Sequence, residues 1–144
     1  QLTAPTLTLT DQTLVYVLDQ TFTLTATSSS SGALSFSIAS PTVATVSGST
    51  GTIKAAGSTI ITVNQAASGN YAAATATATL LINKAVPSIT SSNVLTKIYG
   101  DPVFPLTATS SSTGSFSYQV LDPNIAVRVG SNVVSITGVG TTTI

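Results

Sequence analysis

The chain has 144 residues, with four basic and four acidic side chains and no formal net charge. It contains no Cys and no His, which excludes disulfides, thiol chemistry and His-based catalysis by its own side chains. A charged fraction of only 6% is not the basic footprint of a nucleic-acid-binding protein, and no apolar run reaches the ~20 residues of a membrane-inserted helix.

The chain begins with short segments in which apolar and polar residues alternate, as they do in strands with one buried face. Residues 6–10 alternate strictly, and residues 14–18 form an apolar run that we expect to continue along the same edge. Residues 22–27 place Phe, Leu and Ala on one face and Thr on the other. Residues 28–32 are rich in Ser, and because matched strands flank them we expect a hairpin loop. The alternation resumes at Leu34–Ile38.

The same pattern continues to residue 83. Pro41 ends the preceding strand because Pro cannot donate a hydrogen bond to a ladder. Further strands are expected in segments separated by turns rich in Gly, Ser and Asn. These strands lie at residues 43–46, 52–55, 59–64 and 72–83. About seven strands, with turn signals every 8 to 12 residues, predict an all-β fold of the sandwich class. We expect no helix longer than about one turn.

We expect the core of this first sandwich to contain the apolar residues at inward positions of the strands. They are Phe22, Leu24, Leu34, Phe36, Ile38, Val43, Val46, Ile53, Ile61, Val63 and Leu80, with Ile82 as a further candidate. At about 1.5–3 kcal/mol for each fully buried large side chain, such a core can offset the ordering entropy of the domain. No metal or disulfide is needed for its stability.

The chain contains an internal repeat. Residues 22–44 return as residues 104–126, at an offset of 82 residues (104 − 22), and about half of the paired positions are identical. One extra residue in a turn then raises the offset to 83, so that Ile144 aligns with Ile61. The repeat predicts two domains, a complete one at residues 1–84 and a second one at residues 85–144.

The second domain has no counterpart of residues 63–83, which carry the last strands of the first domain. A sandwich without these strands exposes unpaired backbone groups along an edge and an apolar groove. The sequence also begins without Met. We therefore expect the natural chain to be longer and to continue for at least about 20 residues with a similar segment; a strand from a neighbouring chain is the alternative.

Several features follow one another in a fixed order along the chain. They are Asp19, the alternating segment 23–40, Pro-Thr-Val-Ala-Thr-Val-Ser-Gly from Pro41, Gly57 before an Ile-rich strand, Gly69-Asn70-Tyr71, and the segment Ala-Thr-Ala-Thr-Leu-Leu-Ile-Asn-Lys-Ala at residues 76–85. In this order the whole chain resembles the bacterial immunoglobulin-like repeats of very large, repetitive surface proteins. Tyr99-Gly100-Asp101 resembles the opening of such a repeat, whereas the first domain has Val17-Leu18 in place of Tyr-Gly, so its first edge is expected to bend differently. The resemblance implies tandem immunoglobulin-like β-sandwiches outside the cell, and it implies no activity.

The sequence offers no set of residues for catalysis, cofactor binding or metal binding, so we predict none of these sites, no cofactor and no enzyme. A serine nucleophile needs a base, and without His only an isolated Lys–Ser dyad is conceivable. Asp19 and Asp101 stand alone, one in each domain. We expect each to cap a turn through its own backbone. The alternative is a weak Ca²⁺ site completed by backbone carbonyls.

Other polar and aromatic residues each allow a structural and a functional interpretation. Lys54 and Lys84 could form a Lys–Asn isopeptide bond, but no acid is obviously paired with either. We expect the serine runs that begin at Ser28 and Ser110 to be hairpin loops. The functional alternative is that their hydroxyl groups carry O-linked sugars. We expect Tyr71 to close the end of the sandwich rather than to stack on a glycan. Pro87 stiffens the join between the domains, which favours a semi-rigid rod.

The resemblance implies a function for the whole chain. We expect structural stalk or spacer repeats of a giant surface adhesin or filament, located at the bacterial cell surface, in gliding or in biofilms. The expected partners are neighbouring repeats of the same chain and, through distal domains, other cells or surface glycans. The alternatives are an adhesive module that binds glycan or another cell directly, and a structural tile of a surface layer or a phage virion.

Overall fold

The computed structural model describes residues 1–91 and 94–144. Every regular element in these two ranges is a β-strand, and no helix occurs in them. The all-β class predicted from the sequence is therefore confirmed. By its internal contacts the chain divides into two compact units, Gln1–Ala85 (unit 1) and Val86–Ile144 (unit 2).

The strands of unit 1 follow the segments of alternating apolar and polar residues. Across this unit, all of which is described, they are β1 (Leu7–Leu9), β2 (Gln12–Val15), β3 (Thr21–Thr23), β4 (Ala26–Ser28), β5 (Leu34–Ile38), β6 (Ala44–Ser47), β7 (Thr50–Ile53), β8 (Gly57–Gln65) and β9 (Ala74–Asn83). Val, Ile and Thr fill most of these strands, since β-branched side chains suit a pleated surface. The single strand expected at residues 22–27 is divided into β3 and β4, which pair with different strands.

Unit 1 has a four-stranded sheet in the order β2-β9-β8-β5, a three-stranded sheet in the order β3-β7-β6, and the pair β1-β4. In the largest sheet β9 pairs with β8 in antiparallel fashion over its whole length. On its other side β9 pairs with β2 in parallel, from Gln12 opposite Leu80 to Val15 opposite Asn83. A strand near the start of the unit and the strand at its end thus lie side by side and point the same way.

The structure corrects two expected connections. The chain changes sheets between residues 6–10 and 14–18, because β1 pairs with β4 whereas β2 pairs with β9. Residues 28–32 are not a hairpin loop, because β4 pairs with β1 and β5 pairs with β8. They lead from one sheet to another. Alternation predicts which side chains share a face, but it does not say which strand lies alongside.

The core of unit 1 lies between its sheets and contains apolar side chains from most of the strands. The buried ones are Leu24, Ala44, Ile53, Ile61, Val63, Ala78, Leu80 and Ile82, and Phe22, Phe36, Ile38, Val43 and Val46 are partly buried against them. Leu34, expected in the core, is 39% exposed. It is the first residue of β5, opposite Gln65, whose buried side chain fills that end of the core.

Unit 2 has shorter strands and smaller sheets. Its strands among the described residues are β10 (Ile89–Ser91), β11 (Phe104–Pro105), β12 (Ala108–Ser110), β13 (Ala126–Arg128) and β14 (Val133–Ile136). β10 pairs with β12, and the other three form a sheet in the order β11-β14-β13. Leu106, Ala126 and Val134 are its buried core, with Phe104, Tyr118 and Val120 packed against them.

The strand pairs of unit 2 have the registers of their counterparts in unit 1. Leu7 lies opposite Ser28, and 82 residues later Ile89 lies opposite Ser110. Ala44 lies opposite Ile53, and Ala126 lies opposite Ile136, at the offsets of 82 and 83 residues found in the sequence. Both small sheets of unit 1 therefore have a matching sheet in unit 2.

The four-stranded sheet has no such match within the described part of unit 2. Residues 94–97 align with β2 and residues 116–120 align with β5, yet neither segment belongs to a strand. In unit 1 these two outer strands pair with β9 and β8, which form the middle of the sheet. A strand forms only where backbone partners are present, so the two segments stay irregular.

Candidate functional site

The ionisable residue singled out in unit 1, Asp19, lies in the turn between β2 and β3. Its φ of 58° is in the left-handed region, which Asp tolerates better than most residues. Its N–H donates to the carbonyl oxygen of Ile53 at 3.0 Å. Because Lys54 follows Ile53, this bond brings the two charged side chains together.

The carboxylate Oδ1 of Asp19 accepts a hydrogen bond from Nζ of Lys54 at 2.5 Å. The sequence predicts a turn cap at Asp19 and no acid beside Lys54, and the structure corrects both expectations. The two side chains are 61% and 41% exposed. An ion pair this exposed contributes about 0–1 kcal/mol. The backbone bonds between the turn and Ile53 hold the turn against the end of β7, and both charged groups of the ion pair face solvent.

Asp101, the counterpart in unit 2, makes a different set of bonds. Its Oδ2 accepts from the N–H of Ile98 at 3.0 Å, and its own N–H donates to the Ile98 carbonyl at 3.0 Å. It therefore caps a turn through the backbone, as the sequence predicts. The left-handed position here is Gly100, with a φ of 98°, and Thr137 stands where unit 1 has Lys54. The two aligned aspartates thus do not form equivalent sites.

The other two aspartates are also engaged in local hydrogen bonds. Oδ1 of Asp11 accepts from the N–H of Thr79 at 2.7 Å, and Oδ1 of Asp122 accepts from the N–H of Asn124 at 2.9 Å. Within residues 1–91 and 94–144, no three metal-ligating side chains lie together. The Ca²⁺ alternative at Asp19 or Asp101 therefore has a single carboxylate in each place, and each carboxylate already accepts a hydrogen bond.

A small cavity of about 260 Å³ lies beside the turn that contains Asp19. It is bounded by residues of β2, β3 and the turn between them. The lining residues are Leu14, Val15, Val17, Gln20, Thr21, Phe22 and Ile53. Apolar side chains dominate this lining, and none of its side chains is ionisable. The cavity can contact an apolar group, and it offers no residue for acid–base chemistry.

The most extensive side-chain network joins the serine loop of residues 28–32 to Gln65. This Gln is 2% exposed. Its Nε2 donates to the carbonyl oxygens of Ser30 and Gly32, each at 3.0 Å. Its Oε1 accepts from Oγ of Ser28 at 2.6 Å. The hydroxyl of Ser28 also accepts from the N–H of Ser30 at 3.0 Å, so the loop is ordered from within.

Sequence reasoning did not single out Gln65, although a signal for it was present. In β8 the inward positions are Thr59, Ile61, Val63 and Gln65. A polar side chain at the inward phase of a strand has to find hydrogen-bond partners, because a buried unsatisfied amide is costly. The partners come from the serine loop, which lies more than 30 residues earlier in the chain.

The other residues that the sequence singled out are Tyr71, Lys84 and the serine run of unit 2. Tyr71 is half-buried, and its backbone forms bridges with Thr3 and Ser68. Lys84 follows β9 directly and is exposed. The serine run of unit 2 repeats the local bonds of unit 1, with the N–H of Ser112 donating to Oγ of Ser110 at 3.0 Å.

Comparison of the chain with models of known protein families finds no match. A search of curated proteins finds no similar sequence at a significant level. Across residues 1–91 and 94–144 the structure also contains no helix long and apolar enough to cross a membrane.

Proposed function

We propose that the chain consists of two tandem immunoglobulin-like β-sandwiches that act as spacer repeats in a large bacterial surface protein. In the immunoglobulin plan, strands A-B-E-D form one sheet and C-F-G the other. In unit 1, β1, the β3–β4 segment, β7 and β6 follow the first order, and β5, β8 and β9 follow the second. The matching registers in unit 2 support the same plan there.

The observation that carries the spacer role is the parallel pairing of β2 with β9. When the two ends of unit 1 are pulled apart, the force acts on opposite ends of this ladder. The ladder continues with a hydrogen bond from the Tyr16 N–H to the Asn83 carbonyl at 2.8 Å. Under this load all of these hydrogen bonds have to break together in shear. A domain built in this way resists extension, which is what a spacer between a cell and a distal binding domain requires.

The composition supports the spacer role. With no Cys and a charged fraction of 6%, the surface polarity comes from Ser and Thr, which make up about a third of the chain. Neutral hydroxyl side chains keep the outer faces of the strands hydrated without a field that attracts nucleic acid or charged ligands. Such a surface suits a spacer whose own faces bind little.

Two measurements test this function. Antibodies raised against the chain should label intact, non-permeabilised cells of the source organism, and label inside the cells would contradict the surface location. The 144-residue chain should give no saturable signal on an array of bacterial and host glycans. Saturable binding to one glycan class would contradict the spacer role and favour the adhesive module.

A further inference from the structure

The outer strand β5 of the four-stranded sheet is paired with β8 along one edge and is free along the other. On the paired edge, the ladder ends with a bond from the N–H of Ala39 to the carbonyl of Ile60 at 3.0 Å. In an antiparallel ladder only every second residue bonds to the neighbouring strand. The odd-numbered residues of β5 therefore bond to β8, and Leu34, Phe36 and Ile38 direct their N–H and C=O groups to the free edge.

This free edge has none of the usual protection against pairing. In the part of the chain that the structure describes, no strand pairs with it. Natural proteins protect a free edge with a charged residue, a Pro or a bulge. β5 contains no Pro and pairs with β8 without a bulge, and no charged residue lies between Asp19 and Lys54 in the sequence. By contrast β2, at the opposite edge of the sheet, lies between Asp11 and Asp19.

The sequence of β5 has the same pattern in both directions. It reads Leu-Ser-Phe-Ser-Ile, with Phe36 at its centre. Leu34 is 39% exposed, Phe36 and Ile38 are partly buried, and the two serines are exposed. A two-fold axis at Phe36 would place an antiparallel strand of the same sequence beside β5 with similar residues opposite each other. Apolar residues would meet on the inner face of the sheet and serines on the outer face.

We propose that the free edge of β5 pairs with β5 of a second copy of the chain, antiparallel and centred on Phe36. Phe36 exchanges two N–H···O=C bonds with Phe36 of the second copy. Leu34 and Ile38 exchange bonds with Ile38 and Leu34 of that copy in the same way. The two four-stranded sheets then form one continuous sheet, and the exposed side chain of Leu34 gains an apolar neighbour. The pairing concerns unit 1 alone and does not depend on the proposed spacer role.

The side chains of β5 favour a second copy over other extended segments. Backbone hydrogen bonds at a free edge accept any extended strand, and the side chains select the occupant. Cross-strand pairs of aromatic residues and of hydroxyl residues stabilise a sheet. The proposed register contains both kinds of pair, Phe36 with Phe36 and Ser35 with Ser37. The chain has no formal net charge, so two copies do not repel each other strongly.

The first test is analytical ultracentrifugation of the full 144-residue chain over a range of concentrations, which should show an equilibrium between monomer and dimer. S35K/S37K should weaken the dimer by about tenfold or more, because like charges directly opposite each other destabilise strand pairing. S35E/S37E should do the same, and an equal mixture of the two variants should form dimers again. T77K/T79K adds the same charges at exposed positions of β9, inside the sheet, and should dimerise like the unchanged chain.

The second test determines the register with single cysteines, since the chain has none of its own. In the proposed pairing Ser35 and Ser37 of the second copy are a non-hydrogen-bonded pair, with Cα atoms about 4.5 Å apart. Two copies of Ser35 lie on a diagonal, about 7–8 Å apart, which is too far for a disulfide. Under mild oxidation a mixture of S35C and S37C should therefore form cross-linked dimers faster than either variant alone.

Several results would overturn the proposal. They are a chain that stays monomeric at the highest concentration at which it is soluble, equal weakening by S35K/S37K and T77K/T79K, and cross-linking of S35C to itself as fast as to S37C. A dimer that persists in S35K/S37K would show that two copies associate through another surface. Each of these results would leave the resistance of unit 1 to force, on which the proposed function rests, unaffected.

Discussion

Alanine in place of Gly32 should strongly destabilise unit 1, whereas the same change at Gly114 should not destabilise unit 2. The two glycines end equivalent serine loops. A Cβ added to Gly32 would lie 1.9 Å from the carbonyl oxygen of Ala66, whereas a Cβ on Gly114 would meet nothing closer than Oγ of Ser112 at 3.5 Å. The difference arises because Ala66 follows β8, and the described part of unit 2 has no segment in that place.

The magnitude follows from the contacts that have to move. Separating the added methyl group from the Ala66 carbonyl requires a shift of more than about 1 Å, and overpacking of this kind costs about 1–3 kcal/mol. The shift also strains the bond from the Ala66 N–H to the Ala33 carbonyl and the bond from Gln65 to the Gly32 carbonyl. At about 0.5–1.5 kcal/mol for each bond, G32A should cost unit 1 about 2–6 kcal/mol.

The measurement is amide hydrogen exchange of each variant in increasing urea, read separately for peptides of unit 1 and unit 2. G32A should lower the free energy of unfolding of unit 1 by about 2–6 kcal/mol, and its Tm by about 10 °C or more. G114A should leave unit 2 unchanged or stabilise it by up to about 1 kcal/mol, because Ala restricts the unfolded chain. Equal effects of the two substitutions would refute the packing of residue 66 against the loop.

The remaining predictions concern hydrogen bonds, backbone conformation and metal. Q65A should lower the free energy of unfolding of unit 1 in urea by about 2–4 kcal/mol, since three hydrogen bonds are lost. N64A, at an exposed neighbouring position, is the control and should cost under about 1 kcal/mol. A similar loss in both variants would contradict the role of the buried amide. D19V should cost about 1–2 kcal/mol because a β-branched residue resists a positive φ, whereas D19N should stay within about 0.5 kcal/mol; equal melting curves would show that the turn relaxes. Addition of EDTA should leave the Tm of both units unchanged, and a fall of several degrees would indicate a bound ion at Asp19 or Asp101.

The sequence predicted local strand structure well because alternation reflects which face of a strand is buried. The predicted segment Leu34–Ile38 coincides with β5, and Ile61, Val63 and Leu80 are buried as expected. The sheet to which each strand belongs was harder to predict from the sequence, since it depends on which strands lie side by side. The alternation does not predict that β1 and β2 pair with strands of different sheets. It also does not predict that the serine loop leads from one sheet to another.

Side-chain partners far apart in the sequence were the hardest to predict. The pairing of Asp19 with Lys54 follows from the register between the turn and the end of β7, which the sequence does not specify. The role of Gln65 was accessible in part, because a polar residue at an inward position of β8 needs partners. Which loop supplies them depends on the way the two sheets face each other.

The measurement that tests the spacer function most directly is the force needed to unfold unit 1 in two pulling directions. The chain has no Cys, so single cysteines can attach the handles at chosen residues. Handles at Gln1 and Ala85 load β2 and β9 at opposite ends of their parallel ladder, whereas handles at Gln1 and Ala73 load them at the same end and open it bond by bond.

With handles at its ends, unit 1 should unfold in one event that releases up to roughly 300 Å of chain, from 85 residues at up to about 3.6 Å each. The force of this event should exceed the force with handles at Gln1 and Ala73. Equal forces in the two directions, or gradual extension of unit 1 from its ends, would contradict the proposal that the unit is built to resist extension.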